Sequence, residues 1–300
     1  MREHVPEGGW RFARCNGLNL AFLEEGEGPL MVLVHGFPDT AHTWDALRPR
    51  FAAAGYRVVT PALRGVAPSE IPASDDYKAE VLGRDVLALI DALGAPSAVV
   101  IGHDWGALAA YAAATLDPSR VSRLVTLAIP HPTTFRFTPR KLWGARHFQT
   151  LRLPGAVGRF ARDPAASVRA LYERWSPGFA WPDEEFEAAL NAYAAPGCLS
   201  AALGYYRQIE LPPARFLRAS ITVPTLVLGG RTDGVADEDD FRRSMARLNP
   251  RSKVQMVPGG HFAHREDPDA FYAAVMDFLG ADPSLGADPS LGADPQAPLT

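Results

Sequence analysis

The sequence predicts an α/β protein whose mainly parallel, doubly wound sheet is interrupted by an inserted, all-helical cap. Apolar runs of strand length alternate with amphipathic segments up to residue 131 and again after residue 219. The stretch between them has no convincing strand and is punctuated by Pro-Gly and Pro-Pro pairs. We therefore expect a core of residues 1–131 and 220–279 and a cap of residues 132–219.

The core elements follow from their local patterns. Residues 10–24 alternate apolar and polar side chains around Asn16-Gly17, which predicts two antiparallel strands joined by a tight turn. The unbroken apolar run from Leu30 to Val34 is typical of a strand buried on both faces. We expect further strands at 56–60, 97–101, 121–129, 223–228 and 253–257, and helices at 41–54, 77–93, 107–115, 237–248 and 267–279.

The last residues form a repetitive tail. Gly-Ala-Asp-Pro-Ser-Leu occurs from Gly280 and from Gly286, and in part from Gly292. Since this stretch is rich in Gly and Pro and has no apolar period, we expect residues 280–300 to be disordered.

Composition excludes several classes of function. The chain has 300 residues, 21% of them charged, and a net charge of -4, so no basic excess favours nucleic acid as a partner. The first seven residues have no apolar core for a signal peptide, and no later apolar run is long enough to span a bilayer, so no membrane partner is expected. Two distant cysteines fit a reducing compartment, and we expect a cytoplasmic protein. No ligand cluster is evident, so no metal or organic cofactor is predicted.

The stretch around Asp104 has the pattern of a sharp strand-to-helix turn. A β-branched run leads to Gly102, an Ala-rich helical run begins at Ala107, and Asp104 lies between Gly102 and Gly106. This small-x-acid-x-small spacing is that of a nucleophile elbow with Asp as the nucleophile. The helix N-terminus below the turn favours a carboxylate there. The alternative is an ordinary βα turn in which Asp104 only caps the helix.

Chain order brings two further residues to the same sheet edge. Asp233 and His261, like Asp104, each come just after a predicted strand, in the order nucleophile, acid, histidine. His264 is a rival for the histidine but is interpreted as a surface residue. The other acidic rivals fall in the next predicted helix, where we expect them to cap or solvate it: Asp237, Asp239 and Asp240.

Three motifs together resemble one family. His-Gly-Phe-Pro at 35–38, Gly-His-Asp-Trp-Gly at 102–106 and Gly-His-Phe-Ala-His-Arg-Glu-Asp-Pro at 260–268 look like the epoxide hydrolases of the α/β-hydrolase fold, with the haloalkane dehalogenases as close relatives. The resemblance runs from about residue 9 to residue 279. It implies that Phe37 and Trp105 donate backbone N–H groups to an oxyanion hole, and that the Phe37-Pro38 bond is cis.

An Asp nucleophile indicates which bond is broken. A carboxylate can attack a saturated carbon to form an alkyl ester, which a histidine-activated water then hydrolyses at the carbonyl. A Ser nucleophile would form a stable ether at such a carbon. Asp104 therefore favours cleavage of a C–O or C–halogen bond over ordinary esters and amides.

The residues of the cap distinguish an epoxide substrate from a halide substrate, because the oxygen of an opening epoxide needs a proton donor. The resemblance implies two cap tyrosines above the nucleophile. Tyr206 matches one, whereas His147 stands where the other is expected. Alternatively, His147 lies on the surface and one of the pair Tyr205 and Tyr206 packs in the core. Indole N–H groups that could serve a dehalogenase come from Trp143, Trp175 and Trp181.

The resulting hypothesis is an epoxide hydrolase. Asp104 attacks a small apolar epoxide while Tyr206 and His147 donate to its oxygen, and His261, oriented by Asp233, activates the water that releases a vicinal diol. A homodimer is among the expected assembly states. The alternatives are a haloalkane dehalogenase that uses the same triad and a non-catalytic binding protein on this scaffold.

Overall fold

A computed structural model describes residues 9–136, 138, 141 and 146–280. Within them, eight strands form one sheet in the order β1-β2-β4-β3-β5-β6-β7-β8. The pairs β1–β2 and β2–β4 are antiparallel, and every other neighbouring pair is parallel, which confirms the predicted sheet. The strands are β1 (Arg11–Cys15), β2 (Leu18–Glu25), β3 (Leu30–Val34), β4 (Arg57–Pro61), β5 (Ala98–His103), β6 (Val121–Leu127), β7 (Thr225–Gly230) and β8 (Lys253–Val257).

Helices cover both faces of this sheet and form the insertion. In the described residues they are α1 (Arg48–Ala53), α2 (Ala79–Ala92), α3 (Trp105–Leu116), α4 (Arg146–Arg152), α5 (Ala156–Ala161), α6 (Pro164–Trp175), α7 (Glu187–Ala194), α8 (Cys198–Arg207), α9 (Glu238–Arg243), α10 (Ala263–Glu266) and α11 (Pro268–Gly280). Helices α4 to α8 all lie between β6 and β7, and the described residues of 132–219 contain no strand, so the predicted helical insertion is confirmed. The bounds 132–219 for the cap stay a prediction.

Side-chain alternation along the buried strand β3 builds two cores. Val32 and Val34 contribute to the core that contains side chains of α2, α3 and the cap. Met31 and Leu33 contribute to the opposite core, which α1 and α11 cover. A strand with a core on each face must be apolar at every position, which explains its unbroken apolar run.

Some predicted elements divide differently in the structure. Instead of one helix over 41–54, the chain forms a 3-10 turn at Ala41–Trp44 and then α1, with Pro49 in the first turn of α1. The predicted helix over 237–248 is α9 followed by a second 3-10 turn. Gly280 ends α11, and the remainder of the predicted tail lies outside the described residues. No helix in the described part of the chain is long and apolar enough to cross a membrane.

A buried ion pair ties α2 to the loop after β4. Arg64 and Asp85 are both about 2% exposed and are joined by two hydrogen bonds, Nε to Oδ2 at 2.5 Å and Nη2 to Oδ1 at 2.6 Å. Asn16 Nδ2 donates a further bond of 2.8 Å to Asp85 Oδ1. Removing one member of such a pair strongly destabilises the fold, because the remaining charge is then buried without compensation.

We expect Asp85→Ala to lower the free energy of unfolding by about 3–5 kcal/mol, the usual cost of an orphaned buried charge. Glu80→Ala is the matched control, because it removes a carboxylate from the same helix whose partner, Arg84, lies on the surface. That change should cost less than about 1 kcal/mol. Urea unfolding followed by circular dichroism measures both, and equal losses would contradict the prediction.

Candidate active site

The nucleophile elbow predicted around Asp104 is present between β5 and α3. Asp104 has φ 52° and ψ −117°, a backbone conformation that non-glycine residues rarely adopt. The flanking glycines make the turn sterically feasible. A Cβ on Gly102 would lie 2.2 Å from the carbonyl oxygen of Gly106, and a Cβ on Gly106 would lie 2.2 Å from that of Val34. Both positions therefore require glycine.

The carboxylate of Asp104 points away from the cap position of α3. Its side chain makes no capping hydrogen bond, although Asp104 is the N-cap residue. Instead its Oδ1 accepts a 2.9 Å hydrogen bond from the backbone N–H of Phe37. The Phe37-Pro38 bond is cis, as the resemblance implied. Trp105 opens α3, so its N–H belongs to the helix end that has no intrahelical acceptor. This geometry fits an oxyanion hole rather than an ordinary helix cap.

Asp104, His261 and Asp233 meet at the carboxyl edge of the sheet. His261 Nε2 lies 3.5 Å from Asp104 Oδ2, and His261 Nδ1 lies 3.1 Å from Asp233 Oδ2. Burial alone would lower the pKa of His261. The charges of Asp233 and Asp104 and their hydrogen bonds outweigh that effect and raise the pKa to about 10. These surroundings therefore favour the protonated imidazole at neutral pH.

Backbone amides hold Asp233 in its loop. Its Oδ1 accepts from the N–H groups of Val235 and Ala236, at 2.6 and 3.3 Å, which leaves Oδ2 for the histidine. Asp237 caps α9, as expected of this rival. Asp240 caps the same helix, since its Oδ2 accepts from the backbone N–H of Asp237 at 3.3 Å, which confirms the expected capping role. It is also fully buried and pairs with basic side chains, so it does not lie on the solvated face of the helix.

His264 is completely buried, so the interpretation of it as a surface residue was wrong. Its Nε2 lies 2.6 Å from the hydroxyl of Thr43, which donates to Asp39 Oδ2. The prediction failed because the hydrogen bonds that join His264 to Thr43, and through it to Asp39, connect His264 in the core to residues far away in the chain. His264 packs 4.5 Å from the ring of His103, whose Nε2 bonds to the backbone carbonyl of His261 at 3.0 Å.

The described residues contain one buried group whose donor atoms lie close enough to suggest a metal ligand set, within 4.8 Å of one another: Asp39, His103 and His264. Asp39 already accepts from Tyr172, Arg265 and Thr43. A cation there would have to displace an ion pair with Arg265. We therefore assign this group to the hydrogen-bond network that supports the triad.

Tyr206 lies over the elbow. Its ring is 5.4 Å from that of Phe37 and 5.1 Å from that of Trp105. Burial and the nearby Asp104 carboxylate raise its pKa well above the usual value, so the phenol keeps its proton. Tyr205 points elsewhere, since its hydroxyl donates to the backbone carbonyl of Arg64 at 2.7 Å. Of this adjacent pair, Tyr205 is the one that anchors the cap.

His147 is buried in the cap, at 3% exposure, so the surface alternative was wrong. Its ring centroid lies 6.2 Å from that of Tyr206, and its Nδ1 accepts a 3.3 Å hydrogen bond from the indole of Trp175. Trp181 is buried against Tyr172 and Phe262, away from this pair. Trp143 lies outside the described residues. The structure thus brings the two predicted donors together.

A cavity of about 310 Å³ opens beside the elbow. Asp104 and Trp105 form part of its wall, and Phe148, which packs on Tyr206 with a centroid distance of 5.3 Å, forms another part. The other apolar side chains of its wall include Leu108, Ile129, Phe135, Ile209, Leu217 and Val235. The wall also includes the polar side chains of Gln149, Arg152, Gln208 and Glu210, so the cavity is mainly, not wholly, apolar beside the buried Asp104 carboxylate.

Sequence reasoning missed the contact between the end of α6 and the triad loops. Ser176 Oγ donates to Glu266 Oε1 at 2.5 Å and accepts from the N–H of Phe262 at 3.2 Å. A Cβ on Gly234 would lie 2.2 Å from the carbonyl oxygen of Arg174, and one on Gly260 would lie 2.7 Å from Ser176. The only signal in the sequence is a glycine beside each of Asp233 and His261, which by itself indicates just a loop.

Comparisons with known proteins agree with this geometry. Residues 29–268 match the family model of the alpha/beta hydrolase fold. The chain is 31% identical to an epoxide hydrolase from Caballeronia sordidicola, over 77% of this chain and 80% of that protein. It is 29% identical to epoxide hydrolase 4 from Mus musculus, over 88% of this chain and 77% of that protein.

A solved structure is also similar. Epoxide hydrolase A from Mycobacterium thermoresistibile superimposes with a TM-score of 0.77 and 28% sequence identity, covering 90% of this chain and 98% of that one. The motifs, the elbow and the sheet order point to the same family as these relatives. The chain therefore belongs to the alpha/beta hydrolase fold family, in which it is a relative of the epoxide hydrolases.

Proposed function

We propose that the protein is an epoxide hydrolase that opens an epoxide to a vicinal diol through an ester on Asp104. The observation that carries this proposal is the buried Asp104 carboxylate, with one oxygen on the Phe37 N–H and the other facing His261. An alkyl ester at that position has its carbonyl oxygen already in the oxyanion hole, ready for attack by water. The similarity to known epoxide hydrolases supports the epoxide as substrate.

In the first step, Asp104 Oδ2 attacks an epoxide carbon and the epoxide C–O bond breaks. Tyr206 gives its proton to the oxygen that is released, and His147 donates a hydrogen bond to it. The high pKa of Tyr206 suits this role, because the phenol stays protonated until an alkoxide, a stronger base, develops beside it. Protonated His261 then restores the proton of Tyr206.

In the second step, His261 acts as a base because its surroundings have changed. Ester formation removes the charge of Asp104, one of the two carboxylates that raise the pKa of His261. The pKa falls, and the neutral imidazole takes a proton from water as the water attacks the ester carbonyl. Asp233 stabilises the imidazolium that forms. Collapse of the tetrahedral intermediate transfers a proton to the departing alkoxide, releases the diol and regenerates the Asp104 carboxylate.

The cavity supports a small apolar epoxide as the organic partner, with water as the co-substrate. Its wall is dominated by aliphatic and aromatic side chains, so an apolar substituent gains by leaving water. The cap, residues 132–219, contributes Phe148 to this wall. Its helices α4 and α8 carry the proposed donors His147 and Tyr206. We propose that the cap selects the substrate while the core provides the nucleophile and the base.

The purified protein should convert styrene oxide to its diol. Tyr206→Phe should reduce this turnover about 100-fold, as expected for removal of a general acid. Tyr205→Phe is the matched control, since it deletes the neighbouring buried hydroxyl, whose bond goes to a backbone carbonyl. Product formation followed by chromatography measures all three proteins.

The alternatives give different results in the same experiment. Release of bromide from 1-bromobutane, without diol from styrene oxide and unchanged in Tyr206→Phe, would make the protein a haloalkane dehalogenase. Thermal stabilisation by an epoxide without any product would indicate a binding protein. Either result would contradict the proposed function.

A further inference from the structure

One cap residue, Trp175, contacts His147, the proposed hydrogen-bond donor, through its side chain. Its indole Nε1 donates a 3.3 Å hydrogen bond to Nδ1 of His147, and the two rings meet edge to face at 4.7 Å. Both side chains are buried, at 1% and 3% exposure. An indole N–H can only donate, so His147 Nδ1 must be the acceptor. A neutral imidazole in this position therefore carries its proton on Nε2.

Trp175 also contacts the triad loops through its backbone. Its carbonyl oxygen accepts from the N–H of Gly234 at 2.9 Å and from the N–H of His261 at 3.2 Å. Gly234 follows Asp233 directly, so this one carbonyl bridges the loops of the acid and of the histidine. The Trp175 ring lies 5.1 Å from the ring of His261. Trp175, at the end of α6, therefore contacts both His147 and the loops that carry Asp233 and His261.

We propose that Trp175 is a positioning residue that fixes His147 as an Nε2–H donor for epoxide opening. Without a fixed partner, a neutral imidazole interconverts between two tautomers, and the Nδ1–H form has a lone pair on Nε2. That lone pair would repel the epoxide oxygen instead of stabilising it. The indole selects the Nε2–H tautomer of His147. The Trp175 backbone holds this side chain at a fixed position relative to the loops that carry Asp233 and His261.

This inference rests on the proposed function for the role of His147, but the tautomer itself can be measured without substrate. Nitrogen NMR of ¹⁵N-histidine-labelled protein distinguishes a protonated from an unprotonated ring nitrogen. The signals of His147, identified by their loss in His147→Phe, should show a protonated Nε2 and an unprotonated Nδ1. A protonated Nδ1 in the unaltered protein would overturn the inference, whether or not the protein turns over an epoxide.

Trp175→Phe tests the consequence for the reaction. It removes the indole N–H, keeps an aromatic ring and leaves the backbone carbonyl in place. We expect the Nε2–H tautomer of His147 to become less populated and the ester-forming step in single turnover to slow about tenfold, the effect of one net hydrogen bond. Ester hydrolysis should change much less. Trp181→Phe is the matched control, since Trp181 is a buried tryptophan of the same cap that lies away from His147.

A variant with a different donor at position 147 distinguishes positioning of that donor by Trp175 from a general contribution of Trp175 to the fold. In His147→Tyr the donor is a hydroxyl, which has no tautomer to fix, so adding Trp175→Phe should then have little effect on ester formation. An equal tenfold loss in both backgrounds would overturn the inference, because it would show that Trp175 acts only through packing. If the tautomer result holds while no protein forms an ester, the proposed function fails and Trp175 still fixes the tautomer.

Discussion

Replacing His261 with Ala should stop the reaction at the ester and leave the substrate bound to the protein. The variant keeps Asp104 and both proposed donors, so the epoxide is still opened. It lacks the base that activates water, and turnover should fall about 10²–10⁴-fold. Intact-mass spectrometry after incubation with styrene oxide should show a gain equal to the mass of the whole epoxide.

Controls locate the adduct. Adding Asp104→Asn to His261→Ala should abolish the mass gain, because the attacking carboxylate is lost. His264→Ala removes the other buried imidazole of the same segment and should accumulate no adduct. A gain from 1-bromobutane equal to the reagent without its bromine, and none from styrene oxide, would instead support the dehalogenase.

Asp104→Asn should abolish turnover, with a loss of about 10⁴-fold or more, since the amide is a poor nucleophile. The variant should fold, because Asn tolerates the positive φ of the elbow and its amide oxygen can still accept from Phe37. The same change removes one of the two carboxylates that raise the pKa of His261 to about 10. An NMR titration of His261 should therefore show a lower pKa in Asp104→Asn.

The raised pKa of His261 in the unaltered protein also predicts how the stability of the fold depends on pH. The pKa of His261 rises from 6.5 to about 10 in the folded protein. The protonated form is thus favoured by folding, and its contribution to stability is complete below pH 6.5 and is lost as the pH rises through 10. Thermal unfolding between pH 7 and pH 10 should show a smaller loss of stability in Asp104→Asn than in the unaltered protein. Equal slopes would contradict the mutual stabilisation of Asp104 and His261.

The elbow and the sheet were accessible to sequence reasoning because their signals are local. Gly102 and Gly106 around Asp104, the unbroken apolar run of β3 and the alternation of strands and helices each follow from the conformation of a few consecutive residues. Chain order then predicted that Asp233 and His261 reach the edge that carries Asp104. The predicted α/β class and its helical insertion are confirmed for that reason.

Other features depend on which distant groups meet. In the sequence, nothing distinguishes His264 or His147 from a surface histidine. The tertiary structure shows that each is buried and hydrogen-bonded to a specific partner, Thr43 or Trp175.

The sequence by itself thus determined the fold, the elbow around Asp104 and the order of the triad residues, since these arise from short-range patterns and from the topology of a parallel sheet. Only the tertiary structure decided that the indole of Trp175 meets His147 and that its carbonyl meets the loop of His261. Those contacts join residues far apart in the chain. Their formation depends on the close approach of α6 to two loops, which no local propensity encodes.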